Sequence, residues 1–316
     1  MSKRHKKKQS PTPKAPPSRQ RVPSPATIFR FAVRDDQSRE VVDQAVLKVL
    51  PMLWLRDGKI VEQIKSAKTP EQVLDLASQA HGLGESAWMA RVRQFGLTLV
   101  PLIAARLKAS RDIEDEDARD TVRERLIAAL RWCGLLGARA LQDCFADLDE
   151  YAQCLACVVL GLLRARSSAD LMWDYYQKAK SRPQSYFVGA LWGLIDLKDE
   201  RAGAALAELL AVGRAFYELF GMISLAGDAR VIGPLFGALL QGSEDEKEQA
   251  SMALPAVAQR IGREALIAEF KKMSASDVQM ETLESSADRF LSYPMSNVQE
   301  YFEIYHQGIR SDSLDV

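Results

Sequence analysis

From about Ile28 onward, apolar residues recur at spacings of three and four, with no alternating runs bounded by hairpin turns. That period predicts helices throughout and an all-α fold. Several helix starts are legible. Thr69-Pro70-Glu71-Gln72 places a capping Thr, a first-turn Pro and a Gln at the third position, and Ser243-Glu244-Asp245-Glu246 and Ser296-Asn297-Val298-Gln299 repeat the chemistry. The acidic run Asp112 to Asp117 precedes a helix expected to begin near Thr121, where negative charge favours the N-terminus.

A small residue followed by two apolar ones recurs near the expected ends of successive helices, as Gly134-Leu135-Leu136, Gly161-Leu162-Leu163, Gly193-Leu194-Ile195 and Gly221-Met222-Ile223. The copies lie 27, 32 and 28 residues apart. After the last two comes a turn and a second amphipathic helix. Lys198-Asp199-Glu200-Arg201 leads into Leu206 and Leu210, and Gly227-Asp228-Ala229-Arg230 leads into Leu235 and Leu239, an offset of 29 residues. A weaker earlier copy is Phe95-Gly96-Leu97, and a later one is Ile261-Gly262.

A helix ending in a small-residue turn that carries Asp or Arg, with a second helix packing back, resembles the HEAT-like (ARM/HEAT-type) helical-repeat superfamily. The resemblance covers Glu85 to Phe270 and is clearest at Gly227-Asp228-Ala229-Arg230-Val231-Ile232-Gly233-Pro234-Leu235; Arg164-Ala165-Arg166 departs from it by lacking the turn Gly and Asp. It implies an α-α superhelix, a solenoid whose stacked helix pairs bury a face no single pair can bury alone. The organisation expected is a disordered, basic, Pro-rich tail (1–27), an N-terminal helical cap (28–84), HEAT-like repeats (85–270) and a C-terminal helical cap (271–316). Trp54 belongs to the first cap. In the last, Phe290, Tyr293, Tyr301, Phe302 and Tyr305 gather around Pro294. These aromatics either seal the final repeat or, at Tyr301, Phe302 and Tyr305, offer a partner surface.

Charge divides the chain. Overall it balances at 42 basic and 42 acidic residues, yet residues 1–34 hold ten basic residues and no acid, leaving the remainder at net −10. Residues 1–26 carry six prolines and almost no large apolar side chain, so they bury too little surface to offset ordering entropy. The cluster Lys3, Arg4, Lys6, Lys7 and Lys8 suits phosphate backbones or another anionic surface. A solvated tail, a contact with RNA, DNA or the ribosome, and a nuclear address in a eukaryotic cell are the readings open to it.

The longest apolar stretches, such as Leu155 to Val159 and Val49 to Leu55, fall below the ~18 residues a membrane span needs. With Pro and Ser after the basic start in place of an apolar signal region, a cytoplasmic protein is expected.

Groups for catalysis are sparse. His5, His81 and His306 are far apart in sequence, and Gly82-Leu83-Gly84 lacks the Lys and Ser or Thr of a phosphate-binding loop. Cys133, Cys144, Cys154 and Cys157 sit among Leu, Ala, Val and Gly, which suits reduced, buried thiols filling tight helix contacts; a four-thiolate zinc site is the alternative. The turn arginines Arg139, Arg166, Arg201 and Arg230 are expected to tie neighbouring turns together, with a basic stripe for nucleic acid as the alternative, and Trp132 and Trp192 are expected to be buried. No catalytic, cofactor-binding or metal-ligating residue is assigned. The expectation is a non-catalytic scaffold for a protein partner, with the tail as a second, electrostatic attachment. A nucleic-acid-associated protein is the alternative. Some HEAT-like families act as bilin lyases or as DNA glycosylases, a reading that rests on fold analogy alone.

Overall fold

The computed structural model describes residues 55–183, 185–214, 218–273 and 277–292, and all regular structure among them is helical. In chain order the helices are α1 (55–66), α2 (Pro70–Asp75), α3 (Leu83–Phe95), α4 (Val100–Ala109), α5 (Glu116–Leu130), α6 (Gly134–Cys144), α7 (Glu150–Leu162), α8 (Ala169–Ala179), α9 (Phe187–Asp196), α10 (Arg201–Ala211), α11 (Leu219–Ala226), α12 (Ile232–Gln241), α13 (Glu244–Met273) and α14 (Asp277–Ser292). Short 3-10 turns join many of them. A left-handed Gly262 breaks α13 into two segments.

Two of the three capping motifs form as read. The Thr69 side chain accepts from the Gln72 N–H while the Gln72 side chain accepts from the Thr69 N–H. Ser243 and Glu246 make the same reciprocal pair; Ser296 lies outside the described residues. The helix expected near Thr121 begins five residues earlier, at Glu116, because Asp115 accepts from the Ala118 N–H and so caps it. Part of the acidic run is therefore the first helical turn.

Helices pack against their sequence neighbour and against the next but one: α5 on α7, α7 on α9, α11 on α13, and α4 on α6. One cluster of buried side chains runs through the described residues from Ile64 to Ala287. Its centre is the α7–α9 pair. Every residue of α9 is buried, as is α7 from Cys154 to Leu162, the signature of helices enclosed on all sides. Their backbones touch at glycines. A Cβ on Gly161 would lie 2.6 Å from the Gly193 Cα, one on Gly193 would meet the Cys157 carbonyl oxygen at 2.6 Å, and one on Gly189 would run into the Cys154 carbonyl.

The repeat marker is only partly what the spacing suggested. Gly161 and Gly193 do lie near the ends of α7 and α9. Gly134, by contrast, opens α6, and Gly221 is the third residue of α11. The turn sequences Asp199-Glu200-Arg201 and Asp228-Ala229-Arg230 hold the register, because in each the Asp side chain accepts from the Arg backbone N–H. Nor is glycine always the residue that ends a helix. The C-terminal reversals after α7 and α9 put Arg164 (φ 51°) and Lys198 (φ 56°) in the left-handed region, where the following N–H reaches back to the Leu160 and Leu194 carbonyls.

Two substitutions separate these effects in urea unfolding. Gly189→Ala forces a methyl into the Cys154 carbonyl and is expected to cost about 1–3 kcal/mol or more. Lys198→Gly relieves a left-handed side chain and is expected to stabilise by about 1 kcal/mol.

Candidate functional site

Several residues singled out in the sequence lie outside the described residues: Lys3, Arg4, Lys6, Lys7 and Lys8, Trp54, Tyr293, Tyr301, Phe302 and Tyr305, His5 and His306. His81 is exposed. The four cysteines are free and buried. Burial pushes the Cys144 thiol up to about 11 and raises that of Cys157 well above its ordinary value, so both hold their protons. The four do not gather: among the described residues no three His, Cys, Asp or Glu side chains are placed to hold a metal ion. Cys154 and Cys157 instead supply the narrow positions where α7 receives the glycines of α9.

The turn arginines divide two and two. Arg201 holds Asp199 at 2.7 Å and reaches Asp170 in the preceding unit at 2.8 Å. Arg230 pairs with Asp228 and donates to the Glu200 carbonyl at 3.3 Å. The Arg201 guanidinium keeps the Asp199 carboxyl below its ordinary value. For Asp228, burial acts upward and Arg230 outweighs it. Among the described residues Arg139 and Arg166 make no such tie: Arg139 stands on the exposed face inside α6, and Arg166 lies exposed in a 3-10 turn. A second set of arginines spans units through helix C-termini. Arg91 donates to the Ala67 carbonyl at 2.6 Å, Arg214 to the Lys180 and Arg182 carbonyls, and Arg260 to those of Gly227 (2.7 Å) and Ser224. A cation there meets the negative end of the helix dipole as well as bare carbonyls.

Polar side chains converge where α5, α7 and the start of α9 meet. Buried Arg123 donates to the Ser110 hydroxyl at 2.8 Å and to the Asp149 carboxylate, which also caps α7. Alongside lie Asp120 and Glu124 of α5, Tyr151 of α7 and Tyr186, whose ring meets that of Tyr151 edge-on at 6.0 Å. Burial raises the Glu124 carboxyl above its ordinary value, Arg125 opposing; burial and the Asp149 charge do the same to Asp120. One Asp120 oxygen is buried without a hydrogen-bond partner. Nothing in the sequence reading singled out this cluster. Asp120 and Glu124 sit one turn apart in a charge-rich helix, and the packing of α7 against it, with Tyr186 nearby, leaves them half-buried.

A second surface is apolar. Gly96 (φ 58°) and Gly134 (φ 54°) are both left-handed with open space around them, and each is followed by a projecting leucine. Leu97 is 53% exposed, Leu135 76% and Leu136 52%. The 3-10 turns Gly96–Leu99 and Arg131–Cys133 contact one another, which brings the leucines to one ridge. Trp132 is half-buried there and not enclosed like Trp192, with the Arg93 guanidinium 3.3 Å above its ring and that of Arg131 at 4.8 Å. Leu135 and Leu136 belong to the copy expected near the end of a helix. They face outward because Gly134 begins α6, whose buried stripe is Gly137, Ala138, Ala140, Leu141 and Cys144. Arg139, within one turn of both leucines, shares their face. The sequence signal was present: Gly96 and Gly134 stand 38 residues apart, outside the 27 to 32 of the other copies.

Comparison with protein-family models, with curated proteins and with solved structures gives no match to this chain. Its surfaces therefore stand on their own chemistry. No helix among the described residues is long and apolar enough to cross a membrane.

The half-buried Glu124 carboxyl gives stability a sign with pH. Folded Glu124 holds its proton more tightly than the unfolded chain, so its contribution is full below the ordinary value of 4.5 and is lost as pH rises through that value and beyond. Glu124→Gln removes the loss. The variant's urea midpoint relative to the parent is expected to be higher at pH 7.5 than at pH 4, and equal differences at both would contradict the burial argument.

Proposed function

We propose that this chain is a non-catalytic HEAT-like scaffold in the cytoplasm, an α-α solenoid that binds a protein partner on its apolar ridge and uses the basic tail as an auxiliary electrostatic anchor. The observation that carries the reading is the ridge. Three large apolar side chains project into solvent from adjoining turns, one of which carries a half-buried Trp covered by Arg, and exposed apolar side chains grouped in this way suit an interaction site. Trp and Arg are also the residues that most often dominate interface energetics. The solenoid reading draws support from next-but-one helix packing and from two arginines repeating one bond pattern at a 29-residue offset.

The alternative is a nucleic-acid-associated protein, and the specific observation favouring it is the cluster Lys3, Arg4, Lys6, Lys7 and Lys8 at the head of a segment without acids. A direct comparison decides between them. The full-length chain, a version lacking residues 1–26 and the double variant Leu135→Glu/Leu136→Glu are each used for affinity purification with mass spectrometry, with and without nuclease. The same nuclease-resistant protein is expected with the first two, and its loss with the third. Partners that vanish with the tail or with nuclease would establish the nucleic-acid reading instead.

A further inference from the structure

Beyond either reading above, we infer that the turns closing α7 and α9 form a basic edge, made by Arg164, Arg166 and Lys198, that holds the phosphate backbone of a nucleic-acid duplex independently of base sequence. Parallel packing puts these residues together. Gly189 of α9 lies against Cys154 of α7, Gly193 against Cys157, and Gly161 of α7 against Gly193 and Asp196, so the contacts advance along both helices in the same direction and their C-terminal ends adjoin. Each end closes in the same way. Arg164 and Lys198 both stand in the left-handed region, and the next N–H returns to the Leu160 carbonyl in one turn and to the Leu194 carbonyl in the other, each at 3.0 Å. The two side chains leave the stack from equivalent points, one helix spacing of about 8–10 Å apart. Arg166 belongs to the first of these turns, its N–H donating to the Arg164 carbonyl at 2.9 Å.

All three side chains are exposed and, among the described residues, make no hydrogen bond or ion pair. The neighbouring carboxylates are not equally free: Arg201 holds Asp199 and also takes Asp170 at the start of α8. Exposed Glu200 lies toward Arg230 and marks the far limit of the edge. Cations are in excess here although the chain beyond residue 34 is net −10, and such segregation is what lets a polyanion approach. The identity of the residues points the same way. Glycine is the ordinary occupant of a left-handed position after a helix, and any other side chain costs stability there. The helix dipole offsets part of that cost for a cation. Two successive units nonetheless carry Arg and Lys, as expected where the charge has a use of its own. The exposed Ser167 hydroxyl accepts from Gln142 at 2.9 Å and keeps its proton as a further donor. No aromatic side chain occurs between Leu163 and Ala169 or between Leu197 and Arg201, so unpaired bases find nothing to stack on, which favours a duplex over a single strand. Charge without base contact gives binding that ignores sequence.

The test uses the full chain, a labelled mixed-sequence duplex of about twenty base pairs, a single strand of the same length, and vesicles of mixed phosphatidylserine and phosphatidylcholine. Fluorescence anisotropy across a salt series is expected to show duplex binding that Arg164→Gly/Lys198→Gly weakens about tenfold or more, with the slope of log K against log salt made shallower by about 1.8, as loss of two phosphate contacts requires. Adding Arg166→Gln is expected to remove about one further unit of slope. Glycine is the better backbone at both left-handed positions, so the urea midpoint of the double variant is expected to hold or rise while binding falls, which loss of a merely structural pair would not give. Lys68→Gln, which removes an exposed charge from another turn, is expected to change neither affinity nor slope. Absence of duplex binding, indifference of affinity and slope to the double variant, equal weakening by Lys68→Gln, tighter binding of the single strand, or vesicle binding that depends on Arg164 and Lys198 overturns the inference. The ridge leucines are untouched throughout, so these outcomes leave the scaffold reading to its own experiment.

Discussion

The structure depends on how closely α7 and α9 approach. Two enclosed helices meet along Gly161, Gly189 and Gly193, with the Cys154 and Cys157 carbonyls filling the space a side chain would need. Contact of that kind brings many backbone atoms within dispersion range and leaves no void, but it tolerates no added methyl. It also accounts for the cysteines. At Cys154 and Cys157 the helix needs a small apolar side chain, and a buried thiol that holds its proton behaves as one.

On either side of this centre, units are joined by charge as well as by apolar contact. Arg201 and Arg230 reach one unit back to Asp170 and to the Glu200 carbonyl, while Arg91, Arg214 and Arg260 close helix C-termini that would otherwise present bare carbonyls. A guanidinium suits the task because its donors fan out in a plane and its charge opposes the helix dipole. Arg201 and Arg230 are committed to the fold, whereas Arg139 and Arg166 are exposed and make no such tie among the described residues.

Legibility of the candidate surfaces in the sequence was uneven, for physical reasons. The half-buried cluster of Asp120, Glu124, Tyr151 and Tyr186 was invisible because helical spacing places Asp120 and Glu124 on one side of α5 without saying whether that side faces water. The ridge was half visible. Gly96-Leu97 and Gly134-Leu135 were noticed as repeat copies, but a Gly-Leu pair reads the same whether the glycine ends a helix or begins one. The sign of φ, set by the turn before it, decides whether the leucine points into the core or away from it. Trp132 is half-covered in a turn whose other two residues, Arg131 and Cys133, are buried.

The sequence by itself determined that the chain is helical, where two of its helices are capped, how its charge is divided between the first 34 residues and the rest, and that the turns at Asp199 and Asp228 are equivalent. Those properties are local: they follow from the three-to-four period, from side chains bonding backbone within a few residues, and from composition. Tertiary structure alone decided which carboxyls are half-buried, which arginines reach a neighbouring helix, and which leucines are left in water. Contacts such as Arg123–Asp149, Arg201–Asp170 and Arg260–Gly227 join residues 26, 31 and 33 positions apart, and no short-range pattern encodes the angle at which two helices cross.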